Sequence, residues 1–339
     1  ASQPTVTRLE NCITQADIDS LFDVFVENFL DSYPVQPGSM ILDMDPTAIR
    51  TYGHQELALF NSHYGGYCLM PFHIYEGQSG KLIATVIREG KTPGKDEIVD
   101  LLERLVTRIR ARFSRTRLIF RADSHHTKPA VLTWLERNKV HYVLGLATNA
   151  VLQREVEATC AGLEKAYADV DRIHQPKVRK HHEFYYAAES WGKNLRRVVA
   201  RVEIGFLGTD SRFVVTDLTS CTPKYLYEKV YCDRANAELM IKEHKCHLFS
   251  DRMSCRSKRA NQFRLMLHSA AYVLMHRFRE RMLAGTRLAR ATFQTIRLRL
   301  FKLAARVEVK KTIVRFHFSK EVDPIVPEIF GRLSQFAMQ

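Results

Sequence analysis

Residues 93–147 read PGKDEIVDLLERLVTRIRARFSRTRLIFRADSHHTKPAVLTWLERNKVHYVLGLA, a helix, a strand, a second helix and a second strand. Pro93 and Gly94 open the first helix. Its first turn carries Asp96 and Glu97 and its last turn Arg110 and Arg112, the charge order that a helix dipole favours. RLIFRAD (117–123) and VHYVLGLA (140–147) are short apolar runs of strand length, and KPAVLTWLERN (128–138) between them is helical in spacing. Such alternation belongs to an α/β sheet.

Upstream, SMILDMDP (39–46) is a short buried strand closed by Pro46. YGGYCLMPFHIYE (64–76) and KLIATVIRE (81–89) are two more strands, and GQSG (77–80) between them has the composition of a hairpin turn. QADIDSLFDVFVENFLD (15–31) has helical apolar periodicity and an acidic start, and Pro34 and Pro37 end that region. Three strands, helix, strand, helix, strand make a mixed sheet whose connections suit a ribonuclease-H-like core. From 180 to 217, HHEFYYAAES, LRRVVARVEIGF and SRFVVTDL read as consecutive antiparallel strands, an all-β insertion. Helical spacing then resumes, through ANQFRLMLHSAAYVLMHRFRERM (260–282), and RVEVKKTIVRFHF (306–318) reads as a last hairpin. The expected division is therefore an N-terminal helical segment (1–38), the first part of the core (39–150), a β-rich insertion (151–220), helices completing the core (221–285) and a basic C-terminal region (286–339).

The chain has 339 residues and a net charge of +14. Residues 251–339 hold 19 Lys and Arg against 6 Asp and Glu, whereas residues 1–250 hold 32 against 31. A basic region so concentrated is the footprint of a phosphate-backbone binder, and Arg256, Lys258 and Arg259 form its first cluster. No apolar run is long enough to cross a membrane. The start, ASQPTVTRLEN, has no secretory character and no Met, and is read as the trimmed end of a longer protein with a fuller DNA-binding region. Seven cysteines without a CxxC pair point to a reduced, cytosolic setting. His244, Cys246, His247 and Cys255 match no common zinc spacing.

Two acids stand where ligands of open α/β sheets gather, at the carboxyl ends of strands. Asp45 ends ILDMDPT and Asp123 ends LIFRADSHH. Asp43, two residues before Asp45, shares its strand face, so the pattern does not separate the two. Singly, each Asp is more simply a turn former or helix N-cap. A third acid alters that balance. In YCDRANAELMIKEHK (231–245), Tyr231, Arg234, Glu238, Lys242 and Lys245 are spaced to fall on one face of a helix. Three carboxylates from two strand ends and a helix suffice to hold two hard divalent cations for phosphoryl transfer, with Tyr231, Arg234 and Lys245 toward the substrate phosphates.

Tyr231-x2-Arg234-x3-Glu238-x6-Lys245 is similar to the YREK signature of bacterial DDE transposases. LDMDPT resembles their first catalytic block and FRADS their second. With YGHQELALFNSHYGGYC (52–68) between, the resemblance is closest to the transposases of insertion sequence family 1380, over about residues 1–320. It implies a ribonuclease-H-like core with a β-rich insertion before the catalytic glutamate. It also implies Asp45, rather than Asp43, with Asp123 and Glu238 as catalytic and metal-binding residues, and two magnesium ions with manganese as substitute. The activity implied is cut-and-paste transposition: cleavage at inverted-repeat ends and strand transfer into target DNA. Partners would be double-stranded DNA and a second copy in a synaptic complex, in the bacterial cytoplasm at the nucleoid, with no membrane. Tyr231, Arg234, Lys242 and Lys245 would contact DNA. Phe213, in SRFVVTDLTS, stands where base-flipping relatives carry a tryptophan, whereas Trp191 is not at the matching place. The alternatives are a related metal-dependent nuclease and an inactive, transposase-derived DNA-binding protein.

Overall fold

The computed structural model describes residues 2–168, 177–206, 208–318 and 324–336. Its strands, in chain order, are β1 (Ser39–Pro46), β2 (Ile49–Arg50), β3 (Leu59–Asn61), β4 (Gly66–Leu69), β5 (Phe72–Glu76), β6 (Leu82–Val86), β7 (Arg117–Ala122), β8 (His141–Leu146), β9 (Val178–Tyr186), β10 (Arg196–Gly205), β11 (Gly208–Thr216), β12 (Ala305–Val309) and β13 (Val314–Phe318). Eight of them form one mixed sheet in the order β6-β5-β1-β7-β8-β11-β10-β9. β1, β7 and β8 run parallel, and the pairs on either side of them are antiparallel. Two parallel crossovers explain the two helices of the opening stretch, α3 (Lys95–Arg112) and α4 (Pro129–Arg137), named after α1 (Gln3–Cys12) and α2 (Gln15–Leu30).

β1 is buried on both faces, as a central strand flanked by parallel and antiparallel partners must be. Met40, Leu42 and Met44 lie in the main core with the apolar stripes of α2 (Ile18, Phe22, Val26) and α3 (Ile98, Leu102, Leu105, Ile109). The spacings of four and seven in those stripes select helix rather than strand. Thr14 and Asp17 cap α2 reciprocally, each side chain taking the other's backbone N–H. On the opposite sheet face, Val143, Val199 and Val214 pack under Leu226 and Tyr227.

Four features depart from the sequence expectations. The single strand expected at 64–76 is two, because Pro71 offers no N–H for a continuing ladder. β4 pairs with β2 and β3 in a separate three-stranded sheet, while β5 joins the main one. The span 151–220, expected to be β-rich, opens with a helix, α5 (Ala150–Ala168). Leu152, Val156, Leu163 and Tyr167 are its buried positions, a helical spacing present in the sequence. The strands that follow form no separate sheet: β11 pairs with the free edge of β8, so β9, β10 and β11 prolong the core sheet. Finally, 223–247 is no uniform α-helix. π-helical turns at Leu226–Tyr231 and Glu243–His247 bracket a 3-10 turn and the α-helix Ala235–Lys242, and π turns widen the face on which side chains align. Beyond it runs the 25-residue helix Lys258–Met282, capped by Ser257, and the expected hairpin forms as β12 and β13. Residues 169–176, 319–323 and 337–339, which fall in the expected insertion and basic region, lie outside the described residues.

Candidate active site

The parallel pairing of β1 with β7 sets Asp43 opposite Arg121. Asp45 and Asp123, each two residues further on, therefore emerge at the same carboxyl end of adjacent strands. Asp43 points into the protein. Its carboxylate is wholly buried and takes two hydrogen bonds of 2.6 Å from Nε and Nη2 of Arg121. Arg121 spends its other terminal nitrogen on the carbonyl of Val230, at the head of the Tyr231–Lys245 segment. Burial pushes the Asp43 carboxyl up to about 6 against the pull of Arg121. Even Gly77 is committed to this pair, since a Cβ there would lie 2.6 Å from both Arg121 and Asp43. The geometry thus separates two acids that the strand pattern leaves equivalent.

Asp45 instead reaches the surface of the cleft, where Oδ2 accepts 2.8 Å from Nη1 of Arg234. Nη2 of Arg234 lies 3.4 Å from Oε1 of Glu238, one turn along, and that carboxylate is largely exposed. Burial raises the Asp45 carboxyl to about 7. Arg234 opposes this, and the nearby charges of Asp123 and Glu238 reinforce it. Asp45 thus feels both other carboxylates, and Arg234 bridges it to Glu238.

Asp123 is held by its own turn. It accepts 3.0 Å from the backbone N–H of His125, 3.0 Å from that ring's Nδ1 and 2.8 Å from Nδ1 of His126. Burial works against its charge, but the two histidines outweigh burial and hold its carboxyl well below the usual range. His126 is fully buried between the rings of Phe72 and Phe120. This clamp follows from the SHH triplet after Asp123, to which sequence reasoning assigns no role.

Tyr231 sits against the same turn. A Cβ on Gly145 would fall 2.6 Å from the Tyr231 hydroxyl and 2.9 Å from the backbone N of Ser124, so only glycine admits this approach. Burial raises the Tyr231 phenol above its ordinary value. Lys245 turns toward the β1–β2 connection, 3.5 Å from Oγ1 of Thr47 and bonded to the carbonyl of Ala48. Of the expected DNA contacts, Tyr231, Arg234 and Lys245 therefore gather around the two strand-end acids, and Lys242 is exposed on the same run. Arg256, Lys258 and Arg259 are exposed elsewhere, at the start of the Lys258–Met282 helix, where the backbone N–H of Lys258 donates to Glu56.

Phe213 is a correction. It is 3% exposed, packs edge-on to Phe184 and belongs to the main core, because alternation along β11 turns it inward. Trp191 is buried too, against Tyr186 and Arg196. Nor do the His and Cys residues near 244–255 converge. His244 is buried and shares a 2.9 Å bond with His73, while His247 pairs with Glu243. Among the described residues no three His, Cys, Asp or Glu side chains stand together as a ready metal cluster. Arg234 lies between Asp45 and Glu238, and the histidines engage Asp123.

This is a mixed α/β protein with an acidic site at the carboxyl ends of parallel strands. The chain belongs to a transposase family, described as Transposase DDE domain group 1, which matches residues 1–336. Among solved structures it is similar to the cryo-EM structure of a piggyBac transposase synaptic complex with hairpin DNA. The two share 11% identity and a TM-score of 0.45 over 87% of this chain and 58% of that one. The chain thus spans less than two thirds of that relative's length. No curated protein matches it. No helix among the described residues is long and apolar enough to cross a membrane.

Proposed function

We propose that the chain is a DNA transposase of the YREK type, of insertion sequence family 1380, with the large sheet as a ribonuclease-H-like core. Its reaction is metal-dependent cleavage at the inverted-repeat ends of a transposon and strand transfer into target DNA, performed by a dimer at the bacterial nucleoid. The observation that carries this reading is the meeting of Asp45 and Asp123 at adjacent parallel strand ends beneath the Arg234–Glu238 pair.

Asp45, Asp123 and Glu238 are the residues that would hold magnesium. The donor set fits a hard cation: all oxygen, mutually repelling, with the proton affinity of Asp45 raised to about 7 by burial and by its acidic neighbours. When bound, a pair of such ions activates the attacking oxygen and stabilises the leaving one. The protein's own groups do the positioning. His125 and His126 fix the carboxylate of Asp123. Arg234, now turned to Asp45 and Glu238, has the planar fork that grips a phosphate through two hydrogen bonds. Tyr231, kept protonated by burial, donates from its hydroxyl, and Lys245 adds a cation tethered beside Thr47. A misplaced strand loses rate steeply, so these residues act on the chemical step.

The test is cleavage of duplexes bearing the element's ends by Asp123→Asn and Glu238→Gln. Both variants are expected to bind DNA as the parent does and to lose cleavage by at least about a hundredfold, since each removes a carboxylate from the clamp. Full cleavage by either variant overturns the assignment.

A further inference from the structure

Between β1 and β4 the chain makes an excursion whose residues the catalytic reading leaves unused. With β4 it forms the small three-stranded sheet of β2, β3 and β4, whose first strand follows β1 after Thr47 and Ala48. Between this sheet and the segment following Lys245 lies a groove of about 670 Å³. Pro46 and Thr47, the residues directly after Asp45, are part of its wall, so it adjoins the acidic site. Arg50, Lys245 and Arg252 line it as cations against one carboxylate, Asp251. Two tyrosines stand in its wall, Tyr52 with 83% of its surface exposed and Tyr64 with 40%.

Large exposed aromatic faces are costly in water unless something covers them. Here they occur in a groove whose charge suits a phosphate backbone. The backbone carbonyl of Tyr64 accepts 3.3 Å from Nη2 of Arg50, and its ring meets that of His63 edge-on at 4.8 Å. Burial raises its phenol, and the carboxylates of Asp45 and Asp123 add to that.

We infer that this groove is a binding site for unpaired DNA, with Tyr52 and Tyr64 as stacking platforms for bases and Arg50, Lys245 and Arg252 on the phosphates. A paired duplex turns its base faces inward, whereas aromatic side chains stack on bases that are splayed out. The inference rests on the transposase reading for its DNA, and gives that DNA a path: the strand leaving Asp45 and Asp123 runs unpaired over Thr47 and between the tyrosines. It also supplies an aromatic surface beside the site, which the buried Phe213 does not.

The experiment is equilibrium binding of the full chain to two fluorescent probes, a blunt duplex and the same duplex with a six-nucleotide single-stranded flap. Tyr52→Ala and Tyr64→Ala are expected to weaken flap binding by roughly five- to 150-fold each, the usual cost of removing a base–aromatic stack, and to leave the blunt duplex unchanged. Tyr52→Phe and Tyr64→Phe keep a ring and should restore binding. Arg50→Ala and Arg252→Ala should each lower the salt slope on the flap by about 0.7. Equal weakening on both probes, or none on either, overturns the site, as does a parent that ignores the flap. Because the readout is binding, a parent that never cleaves yet holds the flap through these tyrosines removes the transposase reading and leaves the groove standing.

Discussion

Asp43→Asn against Asp45→Asn separates framework from chemistry at two acids only two residues apart. Asp43 is wholly buried and both its oxygens bind Arg121 at 2.6 Å. The amide leaves a buried guanidinium without its counter-charge, and breaking such a pair by altering one partner costs about 3–5 kcal/mol. That is about a fifth or more of the net stability of an ordinary domain. Arg121 also holds the Val230 carbonyl, so the damage reaches the Tyr231–Lys245 run. At Asp45 the opposite holds. Burial and neighbouring acids bring its carboxyl up to about 7 against the pull of Arg234, so the fold already disfavours its charge. Its one side-chain bond is to Arg234, and because burial and acidic neighbours already work against its charge, asparagine there should leave fold stability close to the parent's. Urea unfolding followed by the fluorescence of Trp134 and Trp191, beside a cleavage assay, reads both effects. Asp43→Asn should unfold much earlier, and whatever fraction remains folded should retain measurable, though reduced, cleavage. Asp45→Asn should unfold with the parent and not cleave. A stable, inactive Asp43→Asn with an active Asp45→Asn would refute the reasoning at its root.

Gly145→Ala adds one methyl into the 2.6 Å approach of the Tyr231 hydroxyl, so cleavage should fall at least tenfold with little change in DNA affinity; unchanged cleavage would show that the tyrosine is not held there for function. His73 and His244 are buried neutral: burial lowers His73 to about 4 and His244 well below its usual value. The unfolded chain takes up their protons below about pH 6.5 while the folded one excludes them. Stability is thus full above that pH and should drop toward pH 4 by up to about 1.4 kcal/mol per unit for each histidine, and a flat profile of urea midpoints would contradict it. Reversing Arg256, Lys258 and Arg259 to glutamate should weaken duplex binding and reduce the salt slope by about 0.9 for each phosphate that is no longer neutralised. A slope equal to the parent's assigns that cluster to solvent.

Much of this is legible in the sequence because strong periodicity and strand-end chemistry are local. The alternation of helix and strand from 93 to 147 points to the parallel core, and the hydrophobic stripe of α3 leaves little choice of packing. Asp45 and Asp123 stand out by their place at strand ends. What the chain alone does not reveal is set by distant partners. Arg121 lies 78 residues from Asp43, and only the β1–β7 register brings them together. Phe213 stands out only by its place in SRFVVTDLTS, and the pairing of β11 with β8 fixes that its face is inward. The helical spacing of α5 is present and is outweighed by the valine- and tyrosine-rich strands that follow. The π turns around Glu238 have no comparable signature: the first packs against β8 and β10 and the second against the Lys258–Met282 helix. Pro71 is visible, yet that it hands the chain from one sheet to another depends on where β2 and β3 lie.

The central claim is that Asp45, Asp123 and Glu238 are one metal-binding centre. Crystals of the protein soaked in manganese, with anomalous scattering recorded at its absorption edge, test it most directly. Manganese bridging Asp45 and Asp123, with Glu238 drawn in and Arg234 released from Asp45, is the result the account predicts. Manganese elsewhere on the protein with these three carboxylates bare, at concentrations that support cleavage in solution, would contradict it.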